Sequence, residues 1–207
     1  MKSINFTLLV IGMFIAMLLG LYVYQHANNY PNDLQIATYV NPSRPLKEFA
    51  LKKTDNTPLN IECMRGRWTI LFFGYTQCRS ICPTTLDMLH KAYEIMRKDG
   101  FINRPELVMV SLDGNRDSLQ TMQKYTQGFD QEFKGAVGDK KVIDQLTAEL
   151  GIVYDAELSS QTDQIDHSGA LTLINPAGEV SAFFIPPLTA AAVAHDTEKL
   201  ITTYINK

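Results

Sequence analysis

Three cysteines in 207 residues are too few to staple a fold together, and the odd count leaves one thiol unpaired. There is no long basic run, and the net charge is −3, which gives a nucleic-acid partner no footing. The chain lacks a glycine-rich phosphate loop, a Ser/His/Asp arrangement and a pair of carboxylates placed for acid–base work. Nucleotide binding, acyl transfer and glycoside-type hydrolysis therefore have no carriers here. Internal repeats and low-complexity segments are also missing. With 45% hydrophobic and 20% charged residues, the composition is that of one folded domain of ordinary size.

Charge is absent from a second place. Residues 4–24 carry none, and the stretch from Phe6 to Tyr24 is apolar over the length needed to cross a bilayer as a helix. Lys2 precedes it, which favours a cytoplasmic N-terminus. A cleaved signal peptide is the competing reading, but its apolar region should be shorter, and Gln25-His26-Ala27 is a poor cleavage site. The expectation is an uncleaved anchor over residues 1–27, a tether rich in Asn, Pro and Ser over 28–45, and a folded domain over 46–207. No Arg-rich presequence stands at the N-terminus, which places the protein in a bacterial inner membrane with its domain in the periplasm.

What is present is concentrated in residues 68–83, Trp-Thr-Ile-Leu-Phe-Phe-Gly-Tyr-Thr-Gln-Cys-Arg-Ser-Ile-Cys-Pro. The first six residues are aromatic, β-branched and aliphatic, the pattern of a buried strand. Gly74 breaks the run, and Cys78 and Cys82 follow four apart. Pro83 suits the first turn of a helix. Leu86, Leu89, Tyr93 and Met96 then recur at helical spacing. The reading is a strand, a short loop with two thiols, and a helix that begins at the second thiol. Backbone N–H groups at that helix start, the positive end of its dipole and the charge of Arg79 would favour a thiolate at Cys82.

The rest of the chain supplies a β-hairpin turning at Asp55-Asn56, a strand over 107–112, and a helix capped by Asp117 or Ser118. A short strand follows near 135–138. A helix over 140–150 is capped by Asp139 and ended by Gly151. Residues 155–164 read as a mobile loop. A hairpin over 169–185 turns at residues 175–178, and a closing helix spans 189–205. Strands alternating with helices imply a parallel core with right-handed crossovers, and the last hairpin extends it. This is an α/β, thioredoxin-like arrangement: a central sheet with flanking helices and an N-terminal β-hairpin, behind a single transmembrane helix. It puts the thiols at the carboxyl end of a central strand, where such sheets place their sites.

Cys78 and Cys82 can form a redox-active dithiol or disulfide, or offer a metal two soft ligands. A third ligand must come from four histidines. His26 flanks the apolar segment, His90 lies two turns along the first domain helix, and His195 sits among alanines in the last. His167 begins a strand after a polar loop and can face the cysteine loop, beside Asp166, which could orient that loop. On pattern alone its role as a ligand stays open. Two thiolates and an imidazole would suit copper, especially Cu(I), and could also hold Cu(II). Structural zinc wants a fourth ligand, absent unless Cys63 joins. Cys63 reads as a bystander.

Residues 73–83 resemble the signature of the SCO/SenC family of copper chaperones. Ser111-Leu-Asp-Gly-Asn-Arg-Asp117 is similar to that family's second strand and loop. Ile165-Asp-His-Ser168, ahead of Leu171-Thr-Leu-Ile-Asn-Pro-Ala-Gly178, is similar to its histidine segment and hairpin. The resemblance runs from about Leu46 to the C-terminus. It implies that Cys78, Cys82 and His167 bind one copper ion. It further implies delivery to a haem-copper respiratory oxidase during assembly, most often to its second subunit, with copper received from an upstream donor. It equally permits a thiol–disulfide oxidoreductase that reduces the oxidase cysteines or another exported protein. Three positions depart from the family pattern: Arg79-Ser80 stand where Pro-Asp is usual, and Gly114 stands where Pro is usual.

Overall fold

The computed structural model describes residues 2–27, 31, 33–155 and 164–205. Its elements run α1 (Lys2–Ala27), β1 (Ala37–Pro45), β2 (Leu51–Lys53), β3 (Pro58–Leu59), α2 (Ile61–Met64), β4 (Thr69–Gly74), α3 (Ile81–Lys98) and β5 (Glu106–Ser111). They continue through α4 (Leu119–Gln127), β6 (Lys134–Val137), α5 (Lys140–Leu150), β7 (Tyr154–Asp155), β8 (Asp166–His167), β9 (Leu171–Ile174), β10 (Glu179–Phe184) and α6 (Ala190–Ile205). Eight strands form one sheet in the order β1-β10-β9-β4-β5-β6-β2-β3, and β7 and β8 form a separate pair.

The sheet is built outward from β4. All six of its residues are buried, because helices cover both faces of a parallel core. Full burial of Ile70, Leu71, Phe72 and Phe73 contributes ~1.5–3 kcal/mol per side chain. On one side β4 pairs in parallel with β5, and β5 with β6. On the other it pairs antiparallel with β9, so the closing hairpin extends the sheet as its sequence implied. The N-terminal hairpin forms at the opposite edge, with Leu51 opposite Leu59 and β2 against β6.

The helices end where their signals stand. Ser118, not Asp117, caps α4, in a reciprocal box with Thr121. Asp139 caps α5, and Gly151 ends it in the left-handed conformation that a side chain resists. Helix α3 buries Leu86, Leu89, Tyr93 and Met96 on one face and packs against α6. α1 carries an apolar window, Phe6–Val23, long enough to cross a membrane, a test that a signal sequence also passes.

One boundary differs from the sequence reading. Residues 37–45, expected in the tether, form edge strand β1 on β10. Polar, proline-containing composition does not forbid this, because an edge strand tolerates proline where no ladder bond is needed. The strand is fastened from outside its own pattern. The buried Asp196 carboxylate on α6 accepts hydrogen bonds from the amides of Gln35, Ile36 and Ala37 at 2.8–3.0 Å. Ser43 donates to Glu179 at 2.5 Å. The loop read as mobile falls mostly outside the described residues, since 156–163 are not among them.

Candidate metal centre

β4 delivers the chain to residues 75–80, and α3 begins at Ile81 with Ser80 as its cap. Cys78 is therefore in the loop and half-buried, whereas Cys82 is the second helical residue and fully buried. Gly74 makes this fit possible. A Cβ built there would stand 2.6 Å from Cys82 Sγ, well inside contact, so the sulfur lies against bare backbone. His167 comes from β8, in the separate β7–β8 pair, and is 7% exposed. Its Nε2 lies 3.2 Å from Cys82 Sγ and 3.9 Å from Cys78 Sγ. The three ligand atoms all lie within 4.8 Å of one another.

The imidazole is oriented for this. His167 Nδ1 is 3.2 Å from the Ser168 carbonyl oxygen. A carbonyl only accepts, so Nδ1 carries the proton and the lone pair of Nε2 faces the sulfurs. Burial holds the His167 pKa below its ordinary value, against the opposing pull of the Ser168 carbonyl and Asp166, and so keeps the ring neutral. Its ring meets Tyr75 edge-on, with centroids 6.0 Å apart.

The expected thiolate at Cys82 does not follow. Burial pushes its thiol well up, and this outweighs a hydrogen bond from the Tyr75 backbone; proximity to Cys78 pushes it further. The amide of Cys82 instead points at Cys78 Sγ, 3.4 Å away, so the helix start serves the other sulfur. A metal entering this site must displace a proton from Cys82.

Two braces lie behind the loop. The Asp117 carboxylate accepts from Thr76 N at 3.1 Å, Thr76 Oγ1 at 2.5 Å and Ser111 Oγ at 2.7 Å, tying the second motif to the cysteine loop. Arg116, paired with Asp113, sets its guanidinium 5.9 Å from the Tyr75 ring centroid. In the sequence Asp117 stood as a possible helix cap and as the last residue of the second family-like motif, and neither reading showed that its side chain ties down the cysteine loop. Ser118 beside it was the signal, since one cap suffices. Gly74 was read as the break after the strand and Tyr75 as part of the signature, with no contact assigned to either.

The remaining candidates fall elsewhere. His90 Nδ1 is 3.0 Å from Asp130, and His195 Nδ1 is 2.9 Å from Asp196. Cys63 lies in α2, with its amide donating to the cap residue Asn60, and is not part of the cluster. Among the described residues, Cys78, Cys82 and His167 are the group able to hold a metal. A trigonal ion with bonds of ~2.3 Å to sulfur and ~2.0 Å to nitrogen would separate those atoms by about 3.7 Å. The observed 3.2 and 3.9 Å bracket that value. Two sulfurs and one imidazole form a soft set short of the four ligands of structural zinc.

The family model described as SCO1/SenC matches residues 38–202. The chain belongs to the SCO1/SenC family. A Stutzerimonas stutzeri protein, named as a candidate copper-binding protein, is 30% identical over 146 residues, covering 70% of this chain and 71% of that one. The human mitochondrial SCO2 homolog is 28% identical over 122 residues, or 58% of this chain, which spans under half (46%) of the human protein. Among solved structures, Arabidopsis thaliana ScoI with copper bound superposes with a TM-score of 0.69 at 25% identity, over 76% of this chain and 98% of that one. Bradyrhizobium japonicum ScoI with copper bound gives 0.65 at 25%, over 75% and 99%. The thioredoxin-like class expected from the order of elements is the class of this SCO1/SenC domain. The family match begins inside β1, in keeping with that strand's place in the sheet.

Proposed function

We propose that this protein is a copper metallochaperone that holds one copper ion on Cys78, Cys82 and His167 and passes it to a haem-copper oxidase during assembly. The observation that carries the reading is the asymmetry of the cluster. Cys82 and His167 are buried, whereas Cys78 lies on a loop and is partly exposed. A carrier needs such a site, firm enough to hold copper yet open on one side, so that a receiving protein's ligand can displace Cys78 first. The soft donor set and the copper-bound family members support copper as the cargo. Family membership supports the oxidase, most often its second subunit, as recipient and an upstream donor as source. We place α1 as an uncleaved anchor in a bacterial inner membrane, with the domain on the periplasmic side.

A second reading uses the same two thiols as a reductant. Cys78 would attack a partner's disulfide, and Cys82 would resolve the mixed disulfide, leaving this protein oxidised and the partner's two thiols free. The free, adjacent sulfurs favour it, and it makes no use of His167. The two readings separate on one variant. His167→Ala in the full chain in detergent should abolish copper transfer to a recipient dithiol protein and leave disulfide reduction largely intact. Equal loss of both would deny the separate roles, and retained transfer would remove His167 from the site.

A further inference from the structure

We propose that the Tyr75 hydroxyl is a clasp that presents His167 to the two sulfurs, and that it thereby sets the preference of the site for Cu(II) over Cu(I). This rests on the three-ligand copper reading above. His167 sits on β8, which among the described residues pairs with β7 alone and lies outside the eight-stranded sheet. The short link to β9, which pairs with β4, brings His167 near the cysteines, and its finer placement there depends on what crosses between residues 164–167 and the cysteine loop. The Tyr75 side chain makes that crossing. Its hydroxyl accepts from the Ile165 amide at 3.0 Å and donates to Gln164 Oε1 at 3.1 Å, bridging 90 and 89 residues of chain. Tyr75 itself is 1% exposed, held at the end of β4 with Arg116 beside its ring and His167 against its edge. A buried tyrosine fixed at one end to the central strand, and bonded at the other to the residue two before His167, is a positioning residue for that ligand.

The two copper states use His167 unequally. Soft Cu(I) draws most of its binding from the two thiolates even with the imidazole bound, whereas Cu(II) gains far more from the imidazole nitrogen. Loosening the histidine segment should therefore weaken Cu(II) binding far more than Cu(I) binding.

The test is Tyr75→Phe in the full chain in detergent, which keeps the ring and removes only the hydroxyl, alongside wild type, Gln164→Ala and His167→Ala. Affinities for Cu(I) and Cu(II) are measured by competition, and amide exchange is followed in the metal-free chain. Tyr75→Phe should weaken Cu(II) about tenfold, the worth of one net buried hydrogen bond, and leave Cu(I) within about threefold. Its Ile165 amide should exchange faster, with the amides of β4 unchanged. Gln164→Ala should shift in the same direction by less. Equal weakening of both copper states, no weakening of either, or faster exchange throughout β4 would overturn the clasp. If wild type and His167→Ala bind Cu(II) alike, the copper reading itself falls and the clasp's role falls with it. In that case Ile165 exchange still reports whether the bond exists, so the two failures are told apart.

Discussion

Gly74→Ala is the smallest change that should strike both the fold and the site. The added Cβ would meet Cys82 Sγ at 2.6 Å, Met109 Cε at 3.0 Å and Phe72 Cε1 at 3.4 Å. Ordinary non-bonded carbon contacts lie at about 3.5–4.0 Å, so the sulfur must retreat by about 1 Å. The methionine end is flexible and yields cheaply, whereas Cys82 is fully buried in the first turn of α3. Overpacking of this kind costs about 1–3 kcal/mol, and at about 2–4 °C per kcal/mol the Tm should fall by roughly 2–12 °C. Metal sites need their ligands held to about 0.5 Å, so copper affinity should fall by more than about tenfold in a variant that still folds. The assay is thermal unfolding together with Cu(I) competition on the full chain. Gly114→Ala serves as the control, since its Cβ would meet only the Gly138 carbonyl at 3.5 Å. Wild-type affinity and Tm in Gly74→Ala would refute the packing argument.

The metal-free thiols should differ in reactivity. Cys78 is half-exposed, while Cys82 is buried and its thiol is pushed up, so peptide mass mapping after brief alkylation at neutral pH should find Cys78 modified well before Cys82. Cys63→Ser should leave copper stoichiometry unchanged in elemental analysis, because Cys63 lies outside the cluster. At Asp196, burial alone would raise the pKa, but hydrogen bonds from His195 and three amides outweigh it and hold the carboxyl below the ordinary range. Its contribution is therefore fully present above about pH 4 and is lost as pH falls through the lower folded value. Asp196→Asn should cost about 1–3 kcal/mol at pH 7 by urea unfolding, a difference that narrows toward acid pH.

Much of this was legible in the residues. The apolar run of β4, the Gly74 break, Pro83 and the 3.6-residue spacing along α3 are local signals, and each act on their own neighbourhood. The thiol pair was equally legible, because its spacing and its place at a strand-to-helix turn lie within sixteen residues. His167 was harder. Its approach to Cys82 spans 85 residues and depends on the antiparallel pairing of β9 with β4, which no local pattern announces, so the resemblance carried it. Strand β1 escaped because its order comes from β10 and Asp196 rather than from any alternation of its own. The ionisation of Cys82 was misjudged for a related reason. The helix start was visible in the sequence, but the burial that overrides it was not.

The most direct measurement is the copper X-ray absorption spectrum of the loaded full chain, recorded for the reduced and oxidised metal. The account predicts one copper per chain with two sulfur neighbours and one imidazole nitrogen, the nitrogen vanishing in His167→Ala. A copper bound by sulfur alone in the wild-type chain, or a spectrum unmoved by His167→Ala, would contradict it.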